Sequence, residues 1–150
     1  MKVSDILRVK GNTLYTVTPE DSLASAVDFM AEKDIGSLVV MDHGSLAGML
    51  TFREVIQQVV KNRGSLGDTV VRTAMDSQPL TCTSETDMDE VRRMMLDRHA
   101  RYMPVMDSRV LMGVISFYDV AKTVVDSQNF ENKMLKAYIR DWPEEKSEGA

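Results

Sequence analysis

The chain has 150 residues, a length that fits one compact domain or two small repeats with a shared core. Its formal net charge of −5 argues against a nucleic-acid or anionic-membrane surface, because those partners select basic patches. The single cysteine, Cys82, excludes an internal disulfide framework, and no apolar run has signal-peptide or membrane-spanning length, so the sequence predicts a cytoplasmic protein.

The first half of the chain predicts a short opening helix followed by a β-α-β-β-α unit. Residues rich in β-branched and aromatic side chains predict the strands, and apolar residues at helical spacing predict the helices. Ser4 or Asp5 is the predicted cap of the opening helix, and Thr18 caps the next helix with Pro19 in its first turn. The predicted elements are a helix from residue 3, a strand over 14–18, a helix over 19–34, a hairpin of 35–41 with 46–50, and a helix over 52–61.

The second half repeats this order after a glycine-containing linker. Its predicted elements are a helix start over 71–75, a strand over 80–83, a helix over 84–98, a hairpin of 102–106 with 111–115, a helix over 117–126, and a separate amphipathic helix over 131–140. We therefore divide the chain into a first repeat over 1–63, a linker over 64–67, a second repeat over 68–126, and a C-terminal helix with a polar, disordered tail over 127–150.

One sequence signature occurs in both halves. Residues 48–54 (Gly-Met-Leu-Thr-Phe-Arg-Glu) recur as residues 113–119 (Gly-Val-Ile-Ser-Phe-Tyr-Asp), an offset of 113 − 48 = 65 that holds without a gap from 16/81 to 60/125. Each copy is an apolar strand that enters a helix through a hydroxyl residue, with a carboxylate three positions later. The repeat predicts two pseudo-symmetric α/β units that stack their apolar strands, with a ligand cleft between them.

The duplicated pattern resembles the tandem cystathionine β-synthase (CBS) domain pair, often called a Bateman module. Besides the two signatures, the segments 35–40 (Ile-Gly-Ser-Leu-Val-Val) and 100–105 (Ala-Arg-Tyr-Met-Pro-Val) carry the resemblance, which extends from Val3 to about Val125. It implies a stand-alone regulatory protein without catalysis that forms a disc-like homodimer. It also implies an adenosyl ligand, with AMP foremost and ADP, ATP, NAD(H) or S-adenosylmethionine as further possibilities.

The resemblance assigns the main ligand site to the second signature. Asp119 in the first helical turn would accept both hydroxyls of a ribose, and Ser116 with the free N–H groups of the helix start would hold a phosphate. Strand segments of the other repeat would face this carboxylate, and Arg101 would contact the phosphate. The residues of this predicted main site are Tyr15, Ile35, Gly36, Ser37, Arg101, Ser116 and Asp119.

The first signature predicts a second, weaker site. Glu54 replaces the aspartate usual in the family and has one more methylene to accommodate, while Arg53 adds a cation near the phosphates. Tyr102 stands where the first repeat has Ser37, so it either narrows the slot or stacks on a base. The residues of this predicted second site are Thr51, Arg53, Glu54, Leu80, Ala100 and Tyr102.

Simpler interpretations stay open for five residues of these sites. The two carboxylates also suit a helix dipole, the two hydroxyl residues are ordinary helix caps, and Arg101 fits a solvated hairpin. No nucleophile with a base and no metal-like spacing of ligands occurs, so an enzyme is the weakest hypothesis. A structural or interaction protein with ligand-free clefts is the alternative to a nucleotide sensor with an unknown regulated partner.

Overall fold

The computed structural model of the chain describes residues 1–11 and 13–140. The predicted turn residue Asn12 and the predicted tail after Pro143 therefore lie outside the described residues. The elements of the first half are α1 (Val3–Lys10), β1 (Thr16–Val17), α2 (Leu23–Lys33), β2 (Ser37–Asp42), β3 (Ser45–Thr51) and α3 (Phe52–Lys61). Those of the second half are α4 (Val71–Ala74), α5 (Met88–Arg98), β4 (Tyr102–Asp107), β5 (Val110–Ser116) and α6 (Phe117–Arg140).

The two halves follow the same path at the offset of 65 residues. In the first half β1 runs parallel to β2, and β2 pairs antiparallel with β3. In the second half β4 pairs antiparallel with β5, and the first strand is reduced to one parallel bridge, in which Cys82 and Val105 repeat the pairing of Val17 with Val40. The register shifts after Val40 in one hairpin and after Val105 in the other. The predicted fold class, two pseudo-symmetric α/β repeats, is confirmed.

The opening helices are exchanged between the halves. Val3 and Ile6 of α1 are buried in the core of the second repeat, whereas Val71 of α4 is buried in the core of the first. The exchange is reciprocal, because α1 is preceded by a bridge from Lys2 to Asp87 and α4 by a bridge from Val70 to Ser22. Each repeat therefore completes its apolar core with a helix that precedes the other repeat in sequence.

Close backbone approaches accompany this exchange. A Cβ added to Gly48 would overlap the backbone carbonyl of Asp76, which follows α4, and Met49 exchanges backbone hydrogen bonds of 3.0 and 2.9 Å with that residue. A Cβ added to Gly113 would lie 2.9 Å from Cδ2 of Leu7 in α1. The glycine that opens each signature thus lets an exchanged helix segment lie against its strand.

Several predicted boundaries are wrong, and the turns explain why. The first helix of the repeat starts at Leu23 with Ser22 as its N-cap, whose Oγ accepts from Ser25 N–H at 3.0 Å. Thr18 is not a cap; its N–H donates to Asp21 Oδ2 at 2.9 Å in the turn that contains Pro19. The strand predicted over 14–18 is only two residues long, because this turn follows it directly.

The same turn shifts the equivalent helix of the second repeat. Thr83 N–H donates to Thr86 Oγ1 at 3.0 Å, so α5 begins at Met88 instead of Ser84. The N-cap of α1 is Lys2. Asp5 lies inside this helix and accepts a hydrogen bond from Lys2 N–H at 2.9 Å.

The two C-terminal helices predicted from the sequence form one helix, α6, of 24 residues. The polar stretch Asp126-Ser127-Gln128-Asn129 contains no proline or glycine, and it continues the helix on an exposed surface. Among residues 1–11 and 13–140, no helix combines the length and the apolar character needed to cross a bilayer.

Candidate ligand-binding clefts

Each signature ends in a capping box. Thr51 is the N-cap of α3, and Ser116 precedes the first residue of α6. Thr51 N–H donates to Glu54 Oε1 at 2.8 Å, and Ser116 N–H donates to Asp119 Oδ2 at 2.8 Å. Both carboxylates therefore satisfy a backbone donor at a helix start, a capping role beyond the interaction with the helix dipole that the simpler interpretation gave them.

The carboxylate of the first signature, Glu54, is held by hydrogen bonds from its own repeat. Glu54 is buried, and Thr51 Oγ1 donates a second bond to its Oε1 at 2.6 Å. In the described part of the chain, both of these bonds go to one oxygen of Glu54. The guanidinium of Arg53 crosses to the second repeat and donates to the backbone carbonyl of His99.

The second signature uses a cation from an exchanged helix. Lys10, the last residue of α1, donates from Nζ to Asp119 Oδ2 at 2.8 Å and to the Val114 carbonyl at 2.9 Å. The side chain of Asp119 is 17% exposed and that of Lys10 is 37% exposed, so water screens the ion pair only in part. The predicted ribose-binding carboxylate of the main site is thus neutralised by a protein cation.

A cavity of about 740 Å³ lies between the two repeats at the first signature. All six residues predicted for the second site line it: Thr51, Arg53, Glu54, Leu80, Ala100 and Tyr102. Three arginines contribute to its wall, Arg53 from the first repeat with Arg98 and Arg101 from the second, against the carboxylates Glu54 and Asp76. Arg101, which the resemblance placed both at the main site and opposite Thr51, lines this cavity too. That any of these residues binds a ligand stays a prediction.

A neighbouring cavity of about 790 Å³ opens toward the second signature and is lined by Ser116 and Tyr118. It shares Arg53, Arg101 and Tyr102 with the first cavity, so these side chains form the wall between the two spaces. Arg101 also accepts a backbone bond of 2.8 Å from Phe117 N–H at the start of α6.

Tyr102 links the starts of the two hairpins. A Cβ added to Gly36 would overlap the Tyr102 hydroxyl, so the tyrosine lies directly against this glycine of the other repeat. The strand pairing places Ser37 beside Thr51 and Tyr102 beside Ser116. Tyr102 therefore narrows the slot between the strand starts, and its stacking on a base stays a prediction.

The other two residues of the predicted main site pack inward. Tyr15 and Ile35 lie against the core of the first repeat, and the Tyr15 ring meets the Phe29 ring edge-on with centroids 5.6 Å apart. Tyr15 also accepts a backbone bond of 3.2 Å from Val39 N–H. Both residues help to position β2, and their predicted contact with a ligand stays a prediction.

Sequence reasoning missed three charged residues at the clefts, namely Lys10, Asp76 and Arg98. Arg98 ends α5 next to His99, where basic residues are common for dipole reasons alone. Lys10 is the last residue of α1, and Asp76 lies just after α4. Both residues reach the signatures because these helices are exchanged between the repeats. A sequence signal existed, because the opening segments recur at an offset of 71 − 3 = 68 and thus lie outside the gapless 65-residue repeat.

Cys82, the single cysteine of the chain, is buried outside the clefts. Burial, with a smaller effect of Asp107, raises the pKa of Cys82 to about 12, which keeps its thiol protonated and unreactive at neutral pH. Among the described residues, no group of three or more His, Cys, Asp or Glu side chains is arranged to hold a metal ion.

The chain belongs to the CBS-domain family. The sequence profile of the CBS domain matches it twice, over residues 3–61 and 71–126, which correspond to the two repeats. Stand-alone proteins of this family are typically regulatory and not catalytic.

Similar proteins support this assignment. The mitochondrial CBS domain-containing protein CBSX3 of Arabidopsis thaliana is 29% identical over 147 residues, which cover 92% of this chain and 71% of that protein. The structure of a putative signal-transduction protein with CBS domains from Burkholderia ambifaria is 34% identical, has a TM-score of 0.79, and covers 85% of this chain and 96% of its own. A structure of CBSX2 in complex with AMP has the same fold, with 23% identity, a TM-score of 0.69, and coverage of 85% and 98%.

Proposed function

We propose that this CBS-domain pair is a sensor that binds an adenine nucleotide between its repeats and signals by a change in their relative arrangement. The observation that carries this proposal is the cavity at Thr51, Arg53 and Glu54, whose wall combines carboxylates with arginines from both repeats. A ligand that touches both repeats favours the arrangement for which it has the higher affinity, which is the physical basis of such a signal.

The polar groups of this cavity match the parts of a nucleotide. Both hydrogen bonds that Glu54 accepts from Thr51 go to its Oε1. Within the described residues, Oε2 is therefore available to accept bonds from ribose hydroxyls. Arg98 and Arg101 supply charge for phosphate, and Arg53 adds a third cation at the same wall. Tyr102 supplies an aromatic face for the base.

The size of the cavity supports a ligand of this class. About 740 Å³ lies within the range of roughly 300–1,000 Å³ that is usual for small-molecule sites. AMP is the first candidate and ATP or NAD(H) the next, as predicted from the sequence. The AMP complex of CBSX2 supports an adenosyl ligand for this fold, although the low identity carries no residue contacts to this chain.

The two clefts differ in what nucleotide binding requires. At the second signature a ribose must compete with Lys10 for Asp119. Among the described residues, the donors to the Glu54 carboxylate are the hydroxyl and the amide of Thr51. We therefore propose that the Glu54 cleft binds the first nucleotide and that a nucleotide reaches Asp119 only after Lys10 moves. This order is the reverse of the one predicted from the sequence, and titration decides between them.

Isothermal titration of AMP, ATP, NADH and S-adenosylmethionine into three carboxylate variants tests the proposal. Glu54→Gln keeps the capping box but removes the charge, so AMP affinity should fall about tenfold, a loss of one charge-assisted contact of roughly 1.4 kcal/mol. Asp119→Asn should leave the first binding event unchanged. Glu32→Gln, at an exposed position of α2, is the matched control.

The opposite outcomes are equally specific. A loss of affinity in Asp119→Asn with normal binding in Glu54→Gln would restore the order predicted from the sequence. Binding of none of the four compounds to the unmodified protein would favour the alternative, a structural or interaction module with ligand-free clefts.

We further propose that the protein is a homodimer that acts in the cytoplasm on an unknown protein partner. Helix α3 supports dimer formation because it buries polar side chains and exposes apolar ones. Glu54 and Gln58 are buried, whereas Phe52, Ile56 and Val60 are exposed. The equivalent positions of α6, at an offset of 65, are Phe117, Ala121 and Val125, which are also exposed. Paired apolar stripes of this kind are typical of surfaces that a second copy covers.

A further inference from the structure

Helix α6 is much longer than its counterpart in the first repeat. α3 has 10 residues and α6 has 24, so at 1.5 Å per residue the helices measure about 15 and 36 Å. The equivalence with α3 ends near Val125, and the remaining part of α6 is exposed along nearly its whole length. A helix of this type gains stability mainly through packing of an apolar face. As far as Glu131 one side of α6 lines a cavity against α5, but Met134, Leu135 and Ile139 beyond it are 58–62% exposed.

One seam of α6 has the spacing of a coiled coil. Its positions are separated alternately by three and four residues, which is the a/d pattern of a heptad repeat. Tyr118, Val125, Leu135 and Ile139 in this seam are 73%, 52%, 58% and 62% exposed, whereas Val120 on the inner face is 2% exposed. The complete seam consists of Tyr118, Ala121, Val125, Gln128, Asn132, Leu135 and Ile139.

The polar and charged residues of the seam fit a second copy in parallel orientation. Asn132 is at an a position, where a polar residue specifies register and a dimer by pairing with its own copy. Glu131 and Lys136 flank the seam at the g position and the following e position, which face each other between parallel helices. An antiparallel pair would instead bring g against g and e against e, so that like charges meet.

We propose that the distal part of α6, residues 128–139, forms a parallel two-stranded coiled coil with the same segment of a second copy. Pairing of α6 with α3 of the partner would leave Leu135 and Ile139 uncovered, because α3 ends at Lys61. The coiled coil therefore fixes the orientation of the dimer, with second repeat against second repeat. This inference rests on the dimer proposed above and does not depend on nucleotide binding.

Site-specific disulfide formation in the full chain tests the orientation. Leu135→Cys places two cysteines across the seam in the parallel dimer, whereas Lys133→Cys, on the outer surface of the same helix, is the matched control. The native Cys82 is buried and does not compete. We expect Leu135→Cys to cross-link about tenfold faster than Lys133→Cys under the same oxidant, since disulfides form only at short Cβ–Cβ distances.

The outcomes separate this inference from the dimer itself. A dimer by sedimentation in which Leu135→Cys cross-links no faster than Lys133→Cys would overturn the coiled coil and keep the dimer. A monomer at 100 μM protein would overturn both. Neither result affects the nucleotide titrations, which are read independently.

Charge reversal gives a second test without a new cysteine. Glu131→Lys replaces two attractive pairs by two repulsive ones, so the dimer dissociation constant should rise about threefold to tenfold at low salt. The double variant Glu131→Lys/Lys136→Glu should restore it to within about twofold, and Lys133→Glu should have no larger effect than that. Failure of the double variant to restore dimer affinity contradicts the parallel pairing.

Discussion

The two helix starts that follow the signatures share the same capping hydrogen bond but have different neighbours. At Thr51 the carboxylate of Glu54 is enclosed by its own repeat, and the nearby cavity is lined by arginines. At Ser116 the carboxylate of Asp119 is bound by Lys10, which the chain supplies from the exchanged helix α1. The capping box is therefore a property of the fold, and the residues around it decide what each start can bind.

This difference also shows why the repeated carboxylate is weak evidence of a ligand by itself. Both copies satisfy the helix start equally well, at 2.8 Å from the capping N–H. Both cavities have Arg53 and Arg101 in their walls, but Glu54 lines the first cavity, whereas Asp119 is not among the residues that line the second. A functional assignment in such duplicated folds should rest on the unmatched residues and not on the repeated ones.

The largest expected difference between the halves concerns the glycines that open the signatures. Gly48→Ala must displace the rigid backbone at Asp76, and we expect it to lower the free energy of unfolding by about 2–3 kcal/mol. Gly113→Ala meets only the end of the flexible Leu7 side chain, so its cost should stay below about 1 kcal/mol. Urea denaturation of the two variants measures the difference. Equal losses would contradict the rigid contact at Gly48.

The second difference lies in the first strand, where Cys82 replaces Val17. The folded-state pKa of Cys82 is raised to about 12, above an ordinary thiol value near 8.5, so its stabilising contribution is complete below pH 8.5 and is lost as the pH rises toward 12. Between pH 8 and 10 the wild type should lose on the order of 1 kcal/mol more than Cys82→Val. Parallel losses in the two proteins would show that burial does not raise the pKa of this thiol in the folded protein.

The third difference is the ion pair of Lys10 with Asp119, which has no counterpart at Glu54. A double-mutant cycle with Lys10→Gln and Asp119→Asn should give a coupling energy of about 0.5–1 kcal/mol at low salt, because the pair is partly buried. A cycle with Lys10→Gln and Glu54→Gln is the control, with a coupling near zero. Equal couplings in the two cycles would remove the asymmetry on which the order of the clefts depends.

The smallest expected effect concerns a contact in the second repeat whose contribution to stability depends on pH in the acid range. Ser84 donates from Oγ and N–H to Asp107 at 2.6 and 2.9 Å, and these bonds lower the pKa of the carboxyl. The first repeat has Pro19 at the position of Ser84, which lacks an N–H. The contribution of Asp107 is present above the ordinary pKa near 3.9 and is lost as the pH falls below it.

Urea denaturation at several pH values checks this contact. Asp107→Asn should be less stable than the wild type at pH 6, and the gap should close between pH 4 and pH 2. Asp42→Asn, at the equivalent position of the first repeat, is the matched variant. A gap that stays constant with pH would mean that the bonds from Ser84 do not depend on the charge.

The sequence was sufficient for the repeat and the hairpins, and it named six residues that line the cavity at Glu54. Apolar runs of strand length, β-branched and aromatic residues and the two signatures defined the elements, because their cause is local. The helix starts at Leu23 and Met88 were missed because side-chain bonds in the preceding turns, at Thr18 and Thr83, compete with helix formation. Lys10 was missed because its contact with Asp119 spans 109 residues.

Because α1 and α4 are exchanged, the two repeats are connected like the two chains of a domain-swapped dimer that a linker joins covalently. A proteolytic cut within residues 64–67 would leave each fragment holding a helix inside the other, so the nicked protein should elute as one particle and come apart only on unfolding. The linker that joins the repeats is then dispensable for holding them together.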